Sequence, residues 1–447
     1  MASGKSIDCV DGSQDKRARK PLVSLLKETT IEDFLFYFAF VCFSIAEILG
    51  TTAFTAVVPM LDGVCNALLY CSVGMLFLRM LIIRSTIAQW VVVLAIGILA
   101  AFLGMRYGFQ YPFWIFLFVI SGRGVNLRTL AKITLVLAGA LTALTLLACY
   151  AGYLENYTMV ATDARAVRNS MGFMHPNRLG ERIAEICIAY WYLNVSKHKG
   201  RVVALCLISL AYVYFVANSR TSCIVFMALI VAAFAYPLLA KSPRLSIPIS
   251  CAFVALVAGA SFFFMAEYNP LNKLMADLNE LVTGRLYLMN ASYSYAPPSL
   301  FGNDYSGAPV MGYTLATGGE YHFVVDNAYA HLIMLYGIVA TVLFFLLIGL
   351  VYLYFYRERR FPVALLGLTV LLAVGFVENF TLDIQYNYFL FLISDVIFLH
   401  KDAFAFSQAK GKSQSEGSFP KIKPTSVQRR REATCCAKQP MNRGVMA

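Results

Sequence analysis

The chain has 447 residues, and 37 Lys and Arg face 25 Asp and Glu for a net charge of +12. Apolar residues make up 59% and charged residues only 14%, against about 25% charge in an ordinary soluble domain. This balance excludes a soluble enzyme, a disordered chain and a disulfide scaffold, and it selects an all-α polytopic membrane protein.

Residues 1–33 form a polar tail in which Lys16, Arg17, Arg19 and Lys20 cluster. No apolar core with a small-residue cleavage site lies near Met1, so no cleaved signal is expected and the stretch from Phe34 serves as an anchor. Apolar stretches predict about twelve spanning helices, near 34–58, 64–83, 87–104, 108–121, 130–150, 179–196, 201–217, 223–240, 246–266, 326–355, 363–381 and 384–400. The stretch at 108–121 is short and contains Pro112, and 326–355 is longer than one span needs. Together they define a membrane domain over 34–400. The tail at 401–447 is basic, polar and reads as disordered.

The cations fall on alternate connections. Arg79 and Arg84 come first, then Arg123, Arg128 and Lys132, then Lys197, Lys199 and Arg201. Lys241 and Arg244 follow, then Arg357, Arg359 and Arg360, and finally Arg429, Arg430 and Arg431 in the tail. The positive-inside rule then predicts that both termini are cytoplasmic. It also accounts for most of the net charge, so nucleic acid is not an expected partner. Two long segments, 151–178 and 267–325, are expected outside, where binding and catalysis concentrate. The chain has 11 cysteines, but these two segments hold none, which argues against a disulfide framework or a Cys/His metal site.

The informative cations are those on the outer side: Arg106, Arg165, Arg168, Arg178, Arg182, Arg220, Lys273 and Arg285. Nearly all are arginine, whose planar fork of donors matches phosphate oxygens. Three patterns frame them. The first runs from Arg165 through Arg168, Gly172, His175, Pro176 and Asn177 to Arg178. Pro176 keeps His175 extended, and Asn177 is placed to cap the helix that follows. Arg178, Arg182 and Glu185 then share one helix face. The second is the short turn Asn218-Ser219-Arg220-Thr221-Ser222, which holds Arg220 at the membrane surface. The third is the large outer loop. It carries Thr283-Gly284-Arg285, Phe301-Gly302 and His322, and ends in Asp326-Asn327 at the start of the tenth predicted helix, with Gly337 beyond. Its tyrosines, among them Tyr287, Tyr293, Tyr295, Tyr305, Tyr313 and Tyr321, suit stacking on sugar rings. Glu47 and Glu378 are acids inside predicted spans, where they either line a cavity or pair with an arginine.

The order of these motifs resembles the superfamily of O-antigen ligases and Wzy-type polysaccharide polymerases. The resemblance rests on Gly172-Phe173-Met174-His175-Pro176-Asn177, Ser219-Arg220-Thr221, Gly284-Arg285, Phe301-Gly302 and Asp326-Asn327 with Gly337, and it covers roughly residues 34–400. Ligases of the family carry His-Asn before this helix. Here the Asn327 to Gly337 spacing is kept, Asp326 stands at the His position, and Ala340 departs from the ligase pattern. An Asp-Asn pair is similar to the polymerase branch.

The resemblance implies a GT-C-like fold in a bacterial cytoplasmic membrane. It implies glycosyl transfer on the outer face with undecaprenyl-pyrophosphate-linked oligosaccharide as donor and acceptor. A chain-length regulator and a flippase are further candidate partners, and neither cofactor nor metal is expected. Stabilising the leaving pyrophosphate falls to Arg220 and Arg285, with Arg165, Arg168, Arg178 and Arg182 as further substrate contacts. Asp326 is the first choice for the base and His322 the second. His175, Asn177, Asn327 and Glu378 complete the expected binding set. Two rivals remain: a ligase that transfers a finished glycan to lipid, wall or protein, and a lipid-linked sugar transporter or flippase.

Overall fold

A computed structural model describes residues 30–83, 85–107, 111–159, 167–305 and 325–398. It is almost wholly helical. The expected tail at 401–447 and most of that at 1–33 lie outside these residues.

The first half comprises α1 (Ile31–Gly50), the short α2 (Phe54–Val57), α3 (Leu61–Ile82), α4 (Ile87–Tyr107), α5 (Tyr111–Ser121) and α6 (Leu127–Tyr150). A two-stranded ribbon, β1 (Thr158–Met159) and β2 (Arg168–Asn169), precedes α7 (Pro176–Asn194), α8 (Lys199–Val216), α9 (Arg220–Lys241) and α10 (Pro243–Glu267). The segment expected outside, 267–325, holds α11 (Lys273–Leu281) and α12 (Arg285–Tyr295). The chain closes with α13 (Ala328–Leu335), α14 (Gly337–Glu358), α15 (Val363–Val374), two 3-10 turns at Asn379–Leu382 and Tyr388–Leu390, and α16 (Phe391–Phe398).

Eight helices, α1, α3, α4, α6, α8, α9, α10 and α14, are long and apolar enough to cross a bilayer. The protein is therefore a multi-pass membrane protein in its helix inventory. The remaining four of the twelve expected spans differ for distinct reasons. Helix α5 has 11 residues and α15 has 12, so each reaches under about 20 Å, short of the roughly 30 Å of a hydrocarbon core. Helix α7 is long enough but carries Arg178, Glu181, Arg182 and Glu185. The expected span at 384–400 is helical only at its end.

One end of the bundle is fastened by Arg79, which is 1% exposed. Its Nε donates to the Glu32 carbonyl and its Nη2 to the Arg123 carbonyl, both at 2.8 Å. Its guanidinium lies 4.9 Å from the centre of the Phe36 ring. Gln89 Nε2 donates to the Phe398 carbonyl at 3.2 Å, bringing the end of α16 to the end of the bundle where α4 begins. The end of α1 and the segment before α7 meet through Ala53 N to Gly172 O at 2.8 Å and Met174 N to Thr51 O at 3.0 Å.

Beyond α15 the chain leaves the helical path. Residues 380–394 are buried throughout, and the stretch includes Thr381, Asp383, Gln385 and Asn387. Irregular backbone at this depth is tolerated in a membrane protein only inside protein or along a polar cavity. Side chains meet part of its needs: Asn387 Nδ2 donates to the Thr381 carbonyl at 2.9 Å, and Asp383 accepts from Gln385 N at 2.9 Å.

A second break separates α13 from α14, where one long span was expected. Gly337 has φ +88° and Gly302 has φ +83°. The loop at 299–303 docks into this break through Asn303 N to Met334 O at 3.0 Å, Ile338 N to Ser299 O at 3.0 Å and Val339 N to Leu300 O at 3.1 Å. A Cβ at Gly337 would stand 2.3 Å from Gly302 N. Gly337→Ala should therefore lower stability by roughly 1–3 kcal/mol from backbone strain alone, read as a lower unfolding midpoint of the detergent-solubilised protein.

Candidate functional site

Three residues remote in sequence converge beside the irregular segment. Arg285, in the first turn of α12, places Nη2 3.0 Å from Asp326 Oδ2 and 3.1 Å from Glu378 Oε1. Its Nε donates to the Val377 carbonyl at 2.7 Å, and its Nη1 to the Val282 carbonyl at 3.4 Å and to the Thr283 hydroxyl. Thr221, in the first turn of α9, hydrogen-bonds the Glu378 carboxyl. The side chains of Arg285 and Glu378 are 7% and 5% accessible, whereas that of Asp326 is 28% accessible. Of the three, only the Asp326 carboxylate is open to a ligand.

Asp326 is held from both sides. Asn327 caps α13 by accepting from Tyr329 N at 3.0 Å and Ala330 N at 2.9 Å. Its amide donates to Ser261 Oγ at 2.8 Å and to the Phe376 carbonyl at 2.9 Å. On the other side the Val325 carbonyl meets His331 Nδ1 and Asn379 Nδ2, each at 3.2 Å.

A second charged group lies along α7. Arg178 pairs with Glu181 at 2.7 Å, and Arg182 pairs with Glu185 at 2.7 Å. Both members of the deeper pair are 1% exposed. Gln385 Nε2 donates to Glu185 Oε1 at 2.9 Å, and the Arg182 guanidinium sits 4.8 Å from the centre of the Tyr386 ring. Glu47 of α1 and Asp383 lie within electrostatic reach of Arg182. Arg182 Nε, Gln385 Oε1, Tyr386 OH and Asn387 Oδ1 are buried and have no hydrogen-bond partner among the described residues.

The other expected site residues are distributed as follows. His175, rather than Asn177, caps α7: it is extended at φ −154° and its Nδ1 accepts from Asn177 N at 3.0 Å. Extension is what Pro176 imposes on the residue before it. Asn177 Oδ1 instead accepts from Arg168 Nη2. Arg168 is 6% exposed, and its Nε donates to the Ala217 carbonyl at 3.1 Å, tying the ribbon to the end of α8. Arg220 opens α9 and is exposed. With Ile224, Asp277, Glu280 and Leu281 it lines a cleft of about 500 Å³. Arg165 and His322 lie outside the described residues. Among the described residues no three His, Cys, Asp or Glu converge in a way that could hold a metal ion.

His331, Asp383, Gln385 and Tyr386 were not anticipated from the sequence. A signal for part of this set exists: Asp383, Gln385 and Asn387 fall at every second position of an apolar run, a spacing that suits extended rather than helical backbone. No family model, curated protein or solved structure matches the chain.

Removing one member of a buried ion pair leaves the other charge uncompensated and costs about 3–5 kcal/mol. Arg182→Ala should accordingly deplete the protein from membranes or sharply lower its unfolding midpoint. Arg178→Ala should cost less, because the Arg178 side chain is 37% accessible, though its partner Glu181 is only 8% accessible.

Proposed function

We propose that this chain polymerises lipid-linked oligosaccharide repeat units, transferring a glycan from one undecaprenyl pyrophosphate to a repeat unit on another at the outer face of a bacterial cytoplasmic membrane. The observation that carries the reading is the accessible Asp326 carboxylate, held 3.0 Å from the buried Arg285 guanidinium.

The chemistry requires a proton acceptor for a sugar hydroxyl and a cation for the leaving pyrophosphate. Asp326 takes the hydroxyl proton as the oxygen attacks the anomeric carbon. The bond from that carbon to the pyrophosphate oxygen breaks, and lipid pyrophosphate departs with inversion. Arg220, exposed in the cleft, faces the charge that develops on the leaving group. Arg285 has a different part. A guanidinium has five N–H donors; here four hydrogen bonds go to Val377, Val282, Thr283 and Glu378, and Asp326 lies 3.0 Å from Nη2 as an ion-pair partner. Arg285 therefore orients the two carboxylates instead of meeting phosphate.

One observation favours a second reading. Interrupted helices with buried charges are where transporters carry their substrate sites, and the segment after α15 has both properties. A lipid-linked sugar flippase is thus the main rival, with ligase-type transfer of a finished glycan the other. Glycan length in a strain lacking the protein separates them. Loss of the ladder with single repeats on the outer face supports polymerisation. Repeats held on the inner face favour the flippase, and long polymer still on its lipid carrier favours the ligase.

In the complemented strain, Asp326→Asn should lose general-base catalysis and reduce polymer by about 10²- to 10⁴-fold at unchanged protein level. Arg220→Ala and Arg285→Ala should each abolish long chains, and His322→Ala should be milder than Asp326→Asn. Normal ladders in both arginine variants would remove those residues from the site, and the reverse order for the other two would move the base to His322.

A further inference from the structure

We propose that His331 is a positioning residue that sets the aim of Asp326, an assignment that rests on the polymerase reading. The three residues Val325, Asp326 and Asn327 form a short extended approach to α13, and their flanks are gripped independently. Asn327 is fixed through four hydrogen bonds, two accepted from backbone N–H groups and two donated, to Ser261 and to the Phe376 carbonyl. Val325, 3% exposed, is fixed through its carbonyl, which lies 3.2 Å from both His331 Nδ1 and Asn379 Nδ2.

A carbonyl oxygen only accepts, so the His331 proton on this side sits on Nδ1. The ring itself has little freedom. Its centroid lies 6.0 Å from that of Tyr111 and 5.7 Å from that of Tyr336. Tyr111 stands at the start of α5, remote in sequence, and Tyr336 is the residue that ends α13, the helix carrying His331. His331 thereby links the start of α5, through Tyr111, and the end of its own helix, through Tyr336, to the peptide preceding Asp326. Among the described residues the Asp326 carboxylate has one ion-pair partner, Arg285 at 3.0 Å. Rotation of the Val325 peptide would therefore turn the Asp326 carboxylate away from Arg285.

This geometry makes an asymmetric prediction about side-chain mimicry. The amide nitrogen of Asn falls near the Nδ1 position of His, whereas that of Gln falls near Nε2. His331→Asn retains the donor to Val325, and His331→Gln displaces it. In the complemented strain, His331→Asn should keep most of the polymer ladder. His331→Gln and His331→Ala should lose about a hundredfold of polymer at equal protein level, the scale of a misplacement near 1 Å. A residue serving only to fill space would not separate Asn from Gln in this direction.

Equal ladders for His331→Asn and His331→Gln, with Asp326→Asn inactive, overturn the positioning role and leave the polymerase reading intact. A normal ladder for Asp326→Asn overturns both. Should the His331 variants be missing from membranes, Asn379→Ala tests the same carbonyl from its other donor. Reduced polymer at normal protein level supports the assignment, and an unchanged ladder overturns it.

Discussion

Just beyond α15, which ends at Val374, the backbone leaves the helix while still inside protein, and the carbonyls of this turn need partners from elsewhere. Three consecutive ones, those of Gly375, Phe376 and Val377, are met one after another by Ala328 N at 2.7 Å, Asn327 Nδ2 at 2.9 Å and Arg285 Nε at 2.7 Å. Leaving such groups unmet at this depth would cost several kcal/mol each. The donors come from the start of α13 and the start of α12, two elements that flank the outer loop. Ending α15 early is therefore what draws these helix starts together, and Asp326 and Glu378 arrive at Arg285 as a result.

Structure and proposed chemistry consequently share side chains. Arg285 meets a carbonyl of the turn beyond α15 with one edge of its guanidinium and holds two carboxylates with another. Asn327 caps α13 while bridging to Ser261 and Phe376. Substitutions here act on folding and on the site together, which is why protein level must accompany every reading of polymer length. Arg220 is different: it is exposed and lines the cleft, so its loss bears on the cleft with less consequence for the fold.

Much of this was legible in the sequence, and for identifiable reasons. Apolar length marked the eight long helices, because a bilayer demands about 20 apolar residues per span. His175-Pro176 and Asp326-Asn327 marked helix starts, because extended backbone before proline and side-chain capping are local rules. Only the capping residue before α7 was misassigned, since His Nδ1 does there what an amide oxygen does elsewhere. The irregular segment after α15 was not legible, because hydrophobic periodicity cannot distinguish a buried 3-10 or extended run from a buried helix. The meeting of Arg285, Asp326 and Glu378 is a tertiary event that no local pattern encodes. Nor does composition reveal that Arg168 is consumed in tying the ribbon to α8.

The starts of α7, α9, α12 and α13 carry Arg178, Thr221, Arg285 and Asn327 respectively, and all four border the same interior region. A helix start bears about half a positive elementary charge from its aligned peptide dipoles. Four such ends around one region act as a fixed counter-field to Glu181, Glu378, Asp383 and Asp326. Unlike side-chain cations, this field cannot titrate or swing away. It persists whatever the charge state of the neighbouring side chains, so these buried acids keep a positive surrounding that does not depend on any one arginine.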